Sequence, residues 1–145
     1  MTDALKRAAV TLRIIGDDLN PQEISNFLGS EPRRGVCKGE AFLGHNGQER
    51  AARTGLWYFG GDYWEDAPDI GCQITTLLSR LTQDLEIWRS VTNRFHCFVS
   101  VAGYFHDWTG GLTLEADVLR LLAERGLHID FDLYAPAASE PEHRP

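Results

Sequence analysis

The chain has 145 residues, with 14 Lys and Arg against 21 Asp and Glu, and its formal net charge is −7. This length favours one domain with its own core, and a hydrophobic content of 43% is ordinary for a globular protein. Because nucleic-acid phosphates repel an acidic chain and no apolar run approaches the roughly 20 residues of a membrane helix, we expect neither nucleic acid nor membrane as a partner.

The start of the chain predicts a strand followed by a short helix. Residues 8–15 alternate between apolar and polar side chains, which is typical of a half-buried strand. Asn20 is placed to cap a helix that has Pro21 at its first position. That helix is predicted to end at Leu28, with Gly29 as its left-handed stop.

The next part of the chain is polar and rich in loops. Residues 30–53 are predicted to form a long loop with one short strand near Val36. Residues 56–59 form the next predicted strand, and an acidic and aromatic loop follows it at 60–69.

The second half of the chain mixes helices and strands. In order, we predict a helix over 70–81 capped by Asp69, a helical turn near 85–88, strands over 94–102 and 104–106, a helix over 114–125 capped by Thr113, and a last strand over 127–134.

These elements predict an α+β fold with the order β-α-β-α-β-β-α-β. We expect one compact domain over 8–135, with an N-terminal arm over 1–7 and a disordered tail over 136–145. The sheet is expected to be antiparallel or mixed, with about three helices packed on it. A ferredoxin-like arrangement is one topology that fits this order.

Neither the cysteines nor any known sequence motif gives much support for a catalytic, metal or cofactor site. Cys37, Cys72 and Cys97 are widely spaced and odd in number, so we expect reduced thiols rather than a disulfide scaffold. The N-terminus lacks the apolar segment of a signal peptide, and a cytoplasmic protein is therefore expected. We predict no metal and no cofactor, because neither paired His or Cys spacing nor a phosphate-binding glycine motif is present.

The last predicted strand is the first candidate site. Its alternation places His128, Asp130, Asp132 and Tyr134 on one open face. Arg13 joins them if the first strand lies alongside. Such a face could bind a ligand or perform acid–base chemistry, although a solvated face with ion pairs is the alternative. Ile129, Phe131 and Leu133 are then expected in the core.

Two loops form the second candidate site. Arg33, Arg34 and Lys38 make a partial basic cluster in the long loop. Trp57 and Trp64 belong to the aromatic segment, and exposed tryptophans are favoured anchors at protein interfaces. The alternative interpretation is that these rings close the core beneath the loop.

Three separated segments resemble a known family. They are the GDDLNP turn with its helix and LGSEPRR, the Gly55-Leu56-Trp57 strand, and the closing LHIDFDLY strand. Together they resemble the bacterial family named only as domain of unknown function 4279, over residues 8–135. This resemblance implies a small cytoplasmic α+β domain without an established activity, so it implies no catalytic residue. The matching positions are Gly16, Asp17, Asp18, Pro21, Pro32, Lys38, Gly39, Trp57, Asp130, Asp132 and Tyr134.

The leading interpretation is a non-enzymatic binding or protein-interaction domain. Its partner is expected to be another protein with a basic surface, and one form is an immunity-like protein that covers a basic toxin. The alternative is a small-molecule or enzymatic site on the open face around His128, Asp130 and Asp132.

Overall fold

The computed structural model describes residues 5–65 and 69–136, with only the backbone of Trp64 and Glu65. In chain order its elements are β1 (Leu5–Gly16), α1 (Pro21–Leu28), β2 (Arg34–Val36), β3 (Ala41–Leu43), β4 (Glu49–Ala51), β5 (Gly55–Gly60), β6 (Trp64–Glu65), α2 (Ile70–Ser79), α3 (Leu85–Arg94), β7 (His96–Phe105), α4 (Ala116–Glu124) and β8 (His128–Tyr134).

The main element of the fold in the described residues is one mixed β-sheet. Its strand order is β2-β5-β1-β7-β8, β6 pairs with β1, and β3 and β4 form a separate hairpin. Pairs within the main sheet are antiparallel except for β7 and β8, which are parallel. The predicted α+β class, the mixed sheet and the single compact domain are confirmed.

The central strand is β1, which pairs with β5 on one side and β7 on the other, and it is apolar on the side that faces the helices. Leu12 and Ile14 are fully buried there, whereas Arg13 between them lies on the opposite side. The strand begins at Leu5, three residues earlier than predicted, and Arg7 lies opposite Tyr104 of β7. Residues 5–7 therefore belong to the sheet and not to an arm.

The capping chemistry of α1 is as predicted. The side chain of Asn20 accepts hydrogen bonds from the backbone N–H groups of Gln22 and Glu23, at 2.9 and 3.2 Å. Pro21 occupies the first turn, where its missing N–H costs nothing. Gly29 ends the helix with a φ of 85°.

The segment predicted as a helical turn near 85–88 is a complete helix, α3. The Asp84 side chain accepts a hydrogen bond of 2.9 Å from the Glu86 N–H, and Trp88 and Val91 are buried. With α3, the described residues contain four helices instead of about three.

Three other boundaries also differ from the prediction. The strands predicted over 94–102 and 104–106 are one strand, β7, because Gly103 lies inside it against the side chains of Leu5 and Leu133. The predicted loop over 30–53 contains the β3–β4 hairpin. Glu115 rather than Thr113 is the N-cap of α4, and its side chain makes no capping hydrogen bond.

The connection from β7 through α4 to β8 joins neighbouring parallel strands. A ferredoxin-like arrangement is built on split β-α-β units, in which another strand separates the parallel pair. The ferredoxin-like topology is therefore wrong, although the fold class is right.

The helices cover one face of the sheet. Their buried residues pack with those of the strands in one cluster, which includes Leu12, Trp57 and Val99 from the sheet and Ile24, Ile74, Trp88 and Val118 from the helices. No helix in the described ranges is long and apolar enough to cross a membrane. Apart from residue 136, the tail that was predicted over 136–145 lies outside the described residues.

The opposite face of the sheet, called the open face below, carries the intervening side chains. It includes Arg7, Thr11, Arg13, Arg34, Tyr58, His96, Phe98, Ser100, Tyr104, His128, Asp130, Asp132 and Tyr134.

The edge strand β8 is exposed on both of its faces. Ile129 is half-buried and packs against the core, as predicted. Phe131 and Leu133 remain 42% and 36% exposed, so their predicted place in the core is wrong. The reason is that β8 lies at the sheet edge, where the helices cover these two side chains only in part.

Candidate functional site

Two carboxylates mark the β8 side of the open face. Asp130 lies opposite Ser100 and Asp132 lies opposite Ala102 in the parallel pairing with β7, and both carboxylates are exposed. The Tyr134 hydroxyl donates a hydrogen bond of 2.7 Å to Oδ2 of Asp132. This hydrogen bond and the negative charge of Asp132 raise the pKa of Tyr134.

An aromatic cluster lies at one end of this carboxylate pair. The rings of Phe98 and His128 are stacked with centroids 5.2 Å apart, and His96 lies 5.0 Å from Phe98 and 5.3 Å from His128. Nε2 of His128 is 3.8 Å from Oδ1 of Asp130, so the two attract each other whenever the imidazole is protonated.

A second aromatic cluster lies at the other end of the pair. Tyr104 stacks on Tyr134 at 5.0 Å between ring centroids and contacts Tyr63 at 6.0 Å. The guanidinium carbon of Arg7 is 4.4 Å from the Tyr104 ring and 5.0 Å from the Tyr63 ring. Burial, followed by the hydrogen bond with Tyr104, raises the pKa of Tyr63. These rings form a surface that already holds one cation.

A separate basic cleft lies on the β1–β5–β2 side of the open face. It has a volume of about 410 Å³ and is lined by Thr11, Arg13, Arg33, Arg34, Tyr58, Gly60 and Gly61. Volumes of small-molecule sites start at roughly 300 Å³.

Each arginine of the basic cleft is held by a neighbouring group. Arg13 donates from Nε to Oγ of Ser100 at 2.7 Å, and its guanidinium carbon lies 4.4 Å from the centroid of the Tyr58 ring. Arg34 lies over the ring of Phe42 at 4.9 Å. Arg33 forms an ion pair of 2.9 Å with Asp62. The three cationic groups are therefore oriented before any ligand arrives.

Arg13 was expected beside the β8 carboxylates only if β1 lay alongside β8, and this condition is not met. The strand β7 separates β1 from β8, and Arg13 lies opposite Phe98, which in turn lies opposite His128. Arg13 therefore belongs to the basic cleft together with the predicted residues Arg33 and Arg34.

The structure brings Asp17 and Lys38 together in an exposed ion pair of 3.1 Å. Hydrogen bonds from Lys38 and Thr54 lower the pKa of Asp17. Asp18 is exposed in the same turn. Neither aspartate lines the basic cleft.

Trp57 belongs to the core, and its predicted role in partner binding is wrong. Its side chain is fully buried, it stacks on Phe59 with centroids 5.6 Å apart, and its Nε1 donates a hydrogen bond of 3.0 Å to Oγ of Ser25. The side chain of Trp64, the other predicted anchor, lies outside the described part of the chain.

The described residues offer little support for a nucleophilic cysteine or for a metal site. Burial raises the pKa of the Cys97 thiol to about 12, which leaves it protonated at neutral pH. Within the described residues, no group of three His, Cys, Asp or Glu side chains is arranged to hold a metal ion.

Several residues of the open face were not assigned to it from the sequence, and Tyr58 was considered only as part of the aromatic segment with Trp57 and Trp64. Tyr58 alternates with the buried Trp57 and Phe59, so the run of aromatic residues did carry a signal for its orientation. Phe98, Ser100 and Tyr104 could not be assigned to the site, because only the strand order places β7 between β1 and β8.

Most of the sequence matches a known protein family. The family described as "Domain of unknown function (DUF4279)" matches residues 4–136. No curated protein and no solved structure matches the chain. Because the family match covers nearly the whole sequence, the protein belongs to the DUF4279 family.

Proposed function

We propose that this protein is a non-catalytic binding domain that pairs a basic, extended segment of a partner protein with the edge strand β8. One observation carries the proposal. In the described residues β8 pairs only with β7, and its side chains combine exposed carboxylates on one face with exposed apolar groups on the other. An unpaired strand edge is a ready template for an added strand.

The spacing of the β8 side chains defines the chemistry of the partner. Asp130 and Asp132 are two residues apart and share the open face, so an added strand would meet them with Lys or Arg at alternate positions. Phe131 and Leu133 point to the helix side, where the intervening partner residues would be apolar. A segment that alternates cationic and apolar residues satisfies both faces.

The two aromatic clusters extend this complementarity. The stacked pair Phe98 and His128 and the stacked pair Tyr104 and Tyr134 flank the carboxylates at opposite ends. Guanidinium and ammonium groups gain about 0.5–2 kcal/mol over such rings, depending on their exposure. The net charge of −7 would also speed the encounter with a basic partner.

A second copy of this chain is a poor occupant of the edge. If two β8 strands paired antiparallel about Phe131, Asp130 of each copy would face Asp132 of the other. Like charges directly opposite each other destabilise a strand pair. The carboxylates therefore favour a basic partner over self-pairing.

An immunity-like protein that covers a basic toxin is one biological form of this binding. The proposal places the interaction in the bacterial cytoplasm, where the thiols of Cys37, Cys72 and Cys97 would remain reduced. The alternative, an acid–base site around His128 and Asp130, has less support because Arg13 is held on the far side of β7.

Two synthetic peptides of identical composition test the proposal. The first alternates lysine and valine, and the second carries the same lysines in one block. We expect the alternating peptide to bind more tightly by calorimetry, and to slow hydrogen exchange at the amides of β8. Equal affinity for both peptides would mean unspecific charge attraction and would overturn the proposal.

A matched pair of variants locates the binding. The double variant Asp130→Asn/Asp132→Asn should weaken the alternating peptide about tenfold, because each exposed ion pair contributes up to roughly 1 kcal/mol. The control Glu40→Gln/Asp107→Asn removes two exposed carboxylates elsewhere and should retain the affinity within about twofold. An equal loss in both double variants would contradict binding at β8.

A further inference from the structure

We propose that the basic cleft is a second binding site, distinct from β8, which holds a phosphate group, either free or as the monoester of a small molecule. The proposal does not depend on the peptide-binding function. It rests on the placement of three arginines, on their unbalanced charge and on the space that Gly61 leaves open.

Strand register places two of the arginines on either side of one tyrosine. Arg13 of β1 and Arg34 of β2 both lie opposite Tyr58 of β5. Because neighbouring strands are about 4.8 Å apart, the two arginine backbones are separated by about 10 Å across the Tyr58 position. Both side chains line the same cleft, and the proposed anion lies between them.

The bonds that orient Arg13 leave its outer nitrogens for a ligand. Its Nε is occupied by Ser100 and its plane is held over Tyr58, whereas no hydrogen bond of its Nη groups is found among the described residues. A guanidinium that is fixed in this way loses little freedom when it binds an oxyanion. The two Nη groups present parallel donors, which match two oxygens of a phosphate.

The charge of the cleft matches a phosphate better than a single carboxylate. Of its three arginines, only Arg33 has a carboxylate within ion-pair distance among the described residues, which is Asp62. Arg13 and Arg34 therefore leave two positive charges uncompensated. A phosphate monoester carries about −1.5 to −2 at neutral pH, whereas a carboxylate carries one negative charge.

Gly61 leaves space open in the cleft. Its φ is 94°, which residues with a side chain rarely adopt. A Cβ at Gly61 would lie 2.9 Å from Oγ1 of Thr11 and 3.4 Å from Nη1 of Arg33. A side chain at this position would therefore crowd the hydroxyl and guanidinium groups that line the cleft.

Calorimetric titration of the full chain with adenosine monophosphate, adenosine and inorganic phosphate tests the proposal. We expect the nucleotide to bind and adenosine not to bind. Inorganic phosphate that binds as tightly as the nucleotide would identify the free anion as the ligand, and weaker binding would identify the ester. The absence of binding by both phosphates up to millimolar concentration would overturn the proposal.

Arginine variants test whether the phosphate ligand binds in the cleft or is attracted by positive charge anywhere on the surface. Arg13→Gln/Arg34→Gln should weaken the phosphate ligand at least tenfold, and Arg34→Gln alone, at an exposed position, should weaken it in the same direction. The control Arg89→Gln/Arg120→Gln removes two exposed cations from α3 and α4 and should change nothing. An equal effect of both double variants would overturn the site.

The β8 variants distinguish this proposal from the peptide-binding function. Asp130→Asn/Asp132→Asn should not weaken the phosphate ligand, and Arg13→Gln/Arg34→Gln should not weaken the alternating peptide. Loss of phosphate binding in the β8 double variant would contradict a separate site in the basic cleft.

Discussion

The hydroxyl of Tyr134 donates a hydrogen bond of 2.7 Å to Oδ2 of Asp132, two residues away on the same face of β8. The bond fixes the orientation of an exposed carboxylate that would otherwise be free to rotate. It also opposes loss of the phenolic proton, because the phenolate would lie beside a negative charge. The pKa of Tyr134 is therefore a measure of its interaction with the Asp132 carboxylate.

The first prediction concerns the pKa of Tyr134, which lies above its ordinary value of 10.0 because of Asp132. Asp132→Asn should lower it towards that value, as measured by the ultraviolet absorbance of phenolate, with Tyr134→Phe assigning the signal. A raised folded-state pKa adds stability below the unfolded pKa, and this contribution is lost as the pH rises through the folded value. Asp107→Asn is the control, and an unchanged titration in Asp132→Asn would contradict the assigned cause.

Local chemistry explains why some elements could be predicted. Asn20, Pro21 and Gly29 define α1 through contacts within one helix, so no knowledge of the sheet was needed. The same signals were present for α3, where Asp84 caps the helix, but its many polar residues weakened the apolar pattern. Only two of its side chains, Trp88 and Val91, are buried.

The candidate sites depended on contacts that are distant in sequence. The alternation of β8 placed Asp130 and Asp132 on one face. The strand that lies next to β8, however, is determined by the crossover through α4, which the alternation does not show. Arg13 does lie on the same face as these carboxylates, but β7 separates β1 from β8, so Arg13 is not their neighbour. Trp57 was misassigned for a related reason, because a run of four apolar residues does not indicate which face is buried until its neighbours are known.

The second prediction tests whether the β8 carboxylates prevent self-pairing. Asp130→Asn/Asp132→Asn removes the repulsion across an antiparallel β8–β8 pair, and the exposed Phe131 and Leu133 would then favour association. We expect this variant to dimerise at lower concentration than the wild type in sedimentation experiments. Glu40→Gln/Asp107→Asn, with the same net charge, should behave as the wild type does. Identical sedimentation of both variants would refute this role.

The third prediction concerns the buried hydrogen bond between Trp57 and Ser25, which is 3.0 Å long. Ser25→Ala leaves the indole N–H in the core without this acceptor and should lower the free energy of unfolding by about 1–3 kcal/mol. Urea denaturation measures the change. Ser90→Ala, at an exposed position of α3, should stay within about 0.5 kcal/mol. Equal stability of the two variants would show that the bond contributes little.

The fourth prediction concerns thiol reactivity. Cys97 is buried and its thiol has a pKa of about 12, whereas Cys37 is half-buried and Cys72 is exposed. In the native protein a disulfide reagent should therefore modify Cys72 first and Cys37 next, and should reach Cys97 only when the chain unfolds. Mass spectrometry of the modified peptides identifies each site. Modification of Cys97 at the rate of Cys72 would contradict the burial of β7.

The last prediction separates backbone strain from steric conflict at the edge of the basic cleft. Gly60 and Gly29 share a φ of 85°, so an alanine at either position is strained by about 1–2 kcal/mol. At Gly29 a Cβ would meet nothing within 4 Å, whereas at Gly60 it would lie 2.7 Å from Leu77 and 2.8 Å from the backbone oxygen of Val10.

The side chain of Leu77 can move, but the Val10 carbonyl belongs to the central strand and cannot move without disturbing the sheet. Gly60→Ala should therefore lower the free energy of unfolding clearly more than Gly29→Ala does, as measured in parallel urea titrations. If the two variants were equally stable, the end of β5 would be free to shift, and the arginines around it would not be held in a fixed cleft.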